Sequence, residues 1–198
     1  AAAERSSESL LICLLALDGN LRVSEICALE WEDVDFAAGT IIIRHNVYKG
    51  ERQTPKGEIK TLAVSKAVMR ALTKHQKRRL EADEPEGPLV LYRRSQHTDW
   101  QWAAHTPHSV SHALNATQER GQVARSGPHL LRHTGLTRLA RLGANPYIVQ
   151  SMARHARLQT TQAYLHRQQC TVSREAADLL DTAADKPRGK RLANQAKP

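Results

Sequence analysis

The sequence predicts an α+β fold, mainly α: a helical bundle carrying a small antiparallel β-sheet. Three observations predict it. Apolar residues recur at helical spacing in the first and last thirds of the chain. A β-branched run, Thr40-Ile41-Ile42-Ile43, interrupts that pattern. Gly and Pro punctuation divides the rest of the chain into hairpin-sized and helix-sized segments.

Residues 6–17 are Leu-rich and stop at Asp18-Gly19-Asn20, which reads as a helix and a turn. Val23, Ile26, Cys27 and Trp31 fall on one face of a second helix. Ala38-Gly39 ends that pattern, and Thr40 begins a strand. Lys49-Gly50 and Pro55-Lys56-Gly57 are turn signals, and residues 59–64 read as another strand of the same antiparallel sheet. A long helix with a basic face covers 65–81. Residues 83–88 form a loop, Leu89-Val90-Leu91 a short strand, and 93–107 a polar, irregular stretch. From Ser109 the reading is helical, with breaks at Gly127-Pro128, at 143–146 and near Arg157. The tail from Lys186 holds Lys186, Arg188, Lys190, Arg191 and Lys197, and is expected to be solvated and disordered when free.

Charge narrows the partner. Lys plus Arg number 29 against 20 Asp plus Glu in 198 residues, a formal charge of +9. Such a surplus favours a polyanion, nucleic acid first and an anionic membrane surface second. No apolar run approaches the roughly 18 residues that a membrane span needs, so no span is expected, and DNA rather than a membrane is the expected partner. Glu4 and Glu8 precede the first apolar run, where a signal peptide would carry basic residues. The three cysteines, Cys13, Cys27 and Cys170, are odd in number and widely spaced. They argue against a disulfide framework or a Cys-based zinc site, and for a reducing, bacterial-type cytoplasm.

The most informative segment is His129-Leu130-Leu131-Arg132-His133. Pro128 suits the first turn of a helix, on which His129 and Arg132 are i, i+3 neighbours. Arg132, Leu136 and Leu139 share one stripe, so Arg132 is expected to face inward. An arginine keeps its charge and, when buried, needs an anion or several acceptors. On the residues alone two partners stay open: a carboxylate such as Glu25, or a phosphate that matches the guanidinium fork. His129 and His133 stand i, i+4, like ligands on a zinc-protease helix, but Leu130 occupies the place of that motif's glutamate. His105, His108 and His112 have helical spacing without an accompanying carboxylate or cysteine, so a DNA-facing or solvated role is expected rather than a metal site.

Further boxes stand around this segment. Downstream come Ala153-Arg154-His155 and Thr160-Thr161-Gln162-Ala163-Tyr164-Leu165-His166, with 23 residues from Arg132 to His155 and nine from His155 to Tyr164. Upstream are Gly19-Asn20-Leu21-Arg22-Val23-Ser24-Glu25, with Leu29-Glu30-Trp31 after it, and the Thr54-Pro55-Lys56 turn before Lys60-Thr61-Leu62. In this order and spacing they resemble the tyrosine recombinases, or phage-type integrases, over residues 10–166.

The resemblance implies the tyrosine-recombinase catalytic fold and a site-specific DNA recombinase. Its chemistry is metal-independent strand cleavage and rejoining through a covalent 3′-phosphotyrosine, with no cofactor. Arg22 and Arg132 would clamp the nonbridging phosphate oxygens, and His129 and His155 would hydrogen-bond the same group. Tyr164 would attack phosphorus, and Lys56 would protonate the leaving 5′-oxygen. Lys49 and Lys60 lie in the same basic hairpin and either can compete for that role; Lys56 is preferred for its place in the Pro-Lys-Gly turn. Glu25 would orient Arg22 or a histidine, with His133 in support. Lys49, Lys60 and Arg154 are the candidate DNA contacts. The implied partner is double-stranded DNA, bound as a homo-tetramer on paired sites by a protein that is monomeric when free. Two other readings are a type IB topoisomerase and a basic DNA-binding module without catalysis.

The chain departs from the family pattern in places. Arg154 replaces the usual Gly before His155, where it would touch a DNA phosphate or crowd the catalytic loop. Gly135 stands where a larger apolar residue is common, and is expected to weaken its helix by roughly 0.5–1 kcal/mol. The interval from Arg22 to Lys56 implies an extended hairpin. Residues 1–185 are expected to form the catalytic domain, without the upstream DNA-binding domain of full recombinases, and 186–198 the basic tail. Within the domain, 171–184 is amphipathic and reads either as a segment exchanged between protomers or as a terminal helix on its own core.

Overall fold

The computed structural model describes residues 2–54, 59–81, 87–95, 101–155, 159 and 161. Helix α1 (Ala2–Leu17) is its axis. Leu11, Ile12, Leu15 and Ala16 are fully buried, because Leu-rich spacing gives this helix apolar contacts on several sides. Three longer helices pack on it: α3 (Lys66–Glu81), α4 (Pro107–Arg120) and α5 (Pro128–Arg141). The short α2 (Val23–Ala28) follows the turn, and α6 (Pro146–Ala153) packs on α5. Proline at the first turn starts α4, α5 and α6, where its missing N–H is not needed.

The expected antiparallel sheet is present. Strands β1 (Val34–Asp35), β2 (Thr40–Ile43) and β5 (Lys60–Ala63) lie in the order β1-β2-β5, with Ile41 opposite Leu62. Ile41, Ile43 and Leu62 point into the core, and their neighbours on each strand do not. Between β2 and β5 a second hairpin, β3 (Asn46–Tyr48) and β4 (Glu51–Gln53), turns at Lys49-Gly50, both at positive φ. This excursion is the expected extension of the hairpin.

Three local expectations are corrected. The second helix does not reach Trp31. The main chain extends at Leu29 and pairs with residues 88–90, through Trp31 N–H to Pro88 O and Val90 N–H to Leu29 O, both 2.9 Å. That pairing is a single bridge between Glu30 and Leu89, so 89–91 is not a strand. Within the stretch expected to be irregular, β6 (Tyr92–Ser95) and β7 (Gln101–Ala104) form a hairpin in which the Arg94 guanidinium lies 4.9 Å from the Trp102 ring centre.

His105 is likewise neither DNA-facing nor solvated. It is buried, its Nε2 lies 2.5 Å from Glu8 Oε1, and its Nδ1 lies 3.0 Å from Ser109 Oγ, which ties the start of α4 to α1. His108 and His112 are exposed. Cys13 and Cys27 are free thiols, and burial pushes Cys27 up to about 12. Among the described residues no helix is long and apolar enough to cross a membrane.

Candidate active site

The turn after α1 and the C-terminal cap of α6 both take left-handed backbone, at Asn20 (φ 52°) and Arg154 (φ 53°). Asparagine tolerates this conformation; arginine carries a Cβ that disfavours it. The turn aims the Asn20 carbonyl at the start of α5. Arg132, one turn into that helix on the buried face, donates Nη1–H to Asn20 O and Nη2–H to Ala153 O. The inward stripe is as expected, and Arg132 is 4% exposed. Of the two partners left open for it, the carboxylate is engaged elsewhere.

Glu25, in the first turn of α2, is that carboxylate. Its Oε2 accepts from the Arg22 backbone N–H at 2.7 Å, and its Oε1 from Arg22 Nη1 at 2.8 Å. Arg154 Nη2 donates to the same Oε2 at 2.5 Å and to Asn20 O at 3.2 Å. One nitrogen of Arg154 therefore joins the Arg22–Glu25 pair to the carbonyl that holds Arg132. Arg22 and Arg132 lie on one side of the molecule, in one network.

His155 closes this group. Its Nδ1 is 3.1 Å from Thr161 Oγ1, its carbonyl accepts from Gln150 Nε2 at 3.2 Å, and its amide donates to Gln150 O. Burial, and then the positive charges of Arg132, Arg22 and Arg154, hold its pKa below the ordinary imidazole value. Two guanidiniums, Arg22 and Arg154, share the one carboxylate of Glu25, and Arg132 and His155 stand beside them on carbonyl and hydroxyl partners, so the site carries surplus positive charge suited to an anion. Among the described residues no group of three or more His, Cys, Asp or Glu side chains is placed to hold a metal ion.

Comparison with known proteins agrees with this geometry. The family model for the phage integrase family matches residues 1–170. The chain belongs to the phage integrase family. A tyrosine recombinase XerC of Thermodesulfovibrio yellowstonii is 32% identical over 152 residues, covering 77% of this chain and 48% of the relative. A XerC of Halalkalibacterium halodurans is 31% identical over 147 residues, covering 74% and 46%. The chain thus spans about half the length of the curated relatives it matches. The crystal structure of XerA recombinase superposes with a TM-score of 0.66 at 21% identity, over 95% of this chain and 63% of that one. The Tn1549 transposon integrase in complex with transposon right end DNA also gives 0.66 at 21% identity, over 89% and 60%. These likenesses establish the catalytic fold of tyrosine recombinases for this phage integrase family chain.

The remaining sequence candidates fall variously. His129 is exposed at the second position of α5, one turn before Arg132 on the helix. His133 is exposed, with Nδ1 3.4 Å from Thr137 Oγ1 on its own helix. Lys49 and Lys60 are exposed, Lys49 over the Tyr48 ring. Lys56, Tyr164 and the segments 171–184 and 186–198 lie outside the described residues. Arg154, expected to touch a DNA phosphate or to crowd the catalytic loop, has a side chain that is 6% exposed and pairs inward with Glu25, directed there by the left-handed turn. Sequence reasoning missed the carbonyls of Asn20 and Ala153 and the Thr161 hydroxyl. Only the Asp18-Gly19-Asn20 turn signal pointed to the first of them.

Proposed function

We propose that this chain is the catalytic domain of a site-specific DNA recombinase, which breaks and rejoins DNA strands through a covalent 3′-phosphotyrosine. The observation that carries the reading is the convergence of Arg22, Arg132 and His155 on one positive site. In a phosphodiester displacement, negative charge gathers on the phosphoryl oxygens, and fixed cations aimed there lower the barrier. Arg22 and Arg132 clamp the nonbridging oxygens, while His155 and His129 hydrogen-bond them. Tyr164 attacks phosphorus, its phenol proton passing to His129, and the 5′-oxygen leaves, protonated by Lys56 or by a neighbouring hairpin lysine. The phosphotyrosine keeps the bond energy, so reversal rejoins the strand without ATP, metal or cofactor. Glu25 orients Arg22. Residues 1–185 make the catalytic unit and 186–198 its basic tail.

Relatives named as tyrosine recombinases, and a neighbour solved with transposon DNA, support double-stranded DNA as the partner. The working state is a tetramer on two paired sites in the bacterial cytoplasm, and the free chain is a monomer. DNA contacts include Lys49 and Lys60, and binding weakens steeply with salt.

The test uses a pool of nicked duplexes of randomised sequence, in which the short strand after cleavage diffuses away. A denaturation-resistant protein–DNA adduct is expected, mapping by mass to the Tyr164 peptide and lost in Tyr164→Phe. DNA binding without any adduct across a salt series overturns the reading.

A further inference from the structure

Arg154 belongs to this site, yet the resemblance gives it no part in the reaction. Its placement is unfavourable by itself. The main chain is left-handed at φ 53°, a conformation suited to glycine. The side chain is 6% exposed, and its two bonds, to Glu25 Oε2 and Asn20 O, both come from Nη2. Nε and Nη1 are buried without a hydrogen-bond partner among the described residues. A buried guanidinium with idle donors is poor stabilising material. Its use lies in what it holds.

Glu25 is a single buried carboxylate shared by two guanidiniums, with Arg22 on Oε1 and Arg154 on Oε2. The two cations differ in freedom: the Arg22 side chain is 46% exposed, whereas Arg154 is enclosed. If Arg22 were the sole counterion, turning it toward a phosphate would leave a buried negative charge unpaired, which is strongly unfavourable. We propose that Arg154 is a positioning residue that holds the Glu25 carboxylate from beneath, so that Arg22 can turn from it to a DNA phosphodiester without stranding a buried charge. The inference rests on the phosphodiester reading of the site. Arg154 is also one of the charges that depress His155, so its removal raises the pH at which that imidazole protonates.

The test compares wild type, Arg154→Gln, Arg154→Lys and Arg154→Gly, each with and without Glu25→Gln, on the nicked duplex pool. The glycine variant suits the left-handed backbone and so keeps the fold. The adduct-forming rate is expected to fall about tenfold or more in Arg154→Gln and Arg154→Gly, with DNA affinity little changed and partial recovery in Arg154→Lys. In the Glu25→Gln background, with no charge to strand, the same substitutions are expected to have little further effect. His155, followed by NMR, is expected to titrate higher in Arg154→Gln than in wild type. An adduct rate in Arg154→Gly equal to wild type, or the same loss with and without Glu25→Gln, overturns the proposal alone. Absence of any adduct from wild type overturns the phosphodiester reading, and this proposal with it.

Discussion

Gly135 of α5 lies so close to Leu17 at the end of α1 that a Cβ on it would overlap the Leu17 carbonyl oxygen. The same Cβ would stand 2.9 Å from the Leu17 carbonyl carbon and 3.0 Å from Asn20 Oδ1. By sequence this glycine is a weak point in a helix. In the structure it is the place where two helices meet backbone to backbone. Arg132 sits one turn before it on α5, and Asn20 three residues beyond Leu17, so the same approach sets the Arg132 bond to Asn20 O.

Gly135→Ala is therefore expected to destabilise the fold although alanine is the better helix former. The propensity gain is about 1 kcal/mol. Forcing a methyl into a packed backbone contact costs typically about 1–3 kcal/mol, and here the neighbour is main chain that cannot rotate away. A net loss of stability in urea denaturation is the expected result. A variant as stable as wild type would show that α5 can move off α1 freely.

Arg132→Lys tests the two-carbonyl clamp. A lysine has one nitrogen and no planar fork, so it cannot donate to Asn20 O and Ala153 O in the arrangement Arg132 uses. Asn20 O keeps its bond from Arg154 Nη2, so a lysine turned to Asn20 leaves Ala153 O without the Arg132 donor, which costs about 1–3 kcal/mol. Thermal and urea unfolding should both record the loss, and adduct formation should fall far more than stability does. Unchanged stability would mean that the carbonyls find other donors.

The parts of the fold legible in sequence are those written in punctuation and period. Pro107, Pro128 and Pro146 each open a helix, and Ile41 and Ile43 mark a strand with one buried face. The β6–β7 hairpin was not legible, because its pairing lies in the main chain and residues such as Arg93 and Arg94 read as surface. The same limit applies to the site. Arg132 was placed inward by its stripe, but its acceptors are carbonyl oxygens, whose direction no residue type records. For Arg154 the sequence leaves two places open, against a DNA phosphate or crowding the catalytic loop. Only the left-handed turn before His155 directs it inward to Glu25.

Two histidines set a pH dependence with a definite sign. Burial, followed by Arg132, Arg22 and Arg154, holds His155 below its ordinary value. Burial is also the main cause for His75, whose Nε2 lies 2.8 Å from Val90 O. A histidine depressed in the folded state binds fewer protons there than in the unfolded chain, so acid favours unfolding. Their contribution is full above the unfolded value of about 6.5 and is lost as pH falls from there to the folded values. Denaturation midpoints measured down through this window should drop, and less so in His155→Gln and in His75→Gln. The same slope in both variants would assign the dependence to other groups.

The β3–β4 hairpin is held by one fork. Arg52 Nη1 and Nη2 each lie 2.6 Å from an oxygen of Glu30, whose side chain is 5% exposed while that of Arg52 is 42% exposed. Val47, opposite Arg52 in the hairpin, packs on the core from the same side. Arg52→Ala removes the fork and leaves a buried carboxylate short of donors, at a cost of about 1–3 kcal/mol. Arg52→Lys keeps the charge but replaces two bonds by one, and should fall between wild type and alanine. Pairing Arg52→Ala with Glu30→Gln removes the stranded charge, so the double variant should be less damaged than the sum of the two single changes. Hydrogen exchange at residues 46–53 is the local measurement, and faster exchange is expected in Arg52→Ala. Lys56 follows this hairpin by three residues in the sequence, so under the proposed chemistry its loosening should also slow adduct formation. Exchange unchanged in Arg52→Ala would mean that Val47 alone anchors the hairpin.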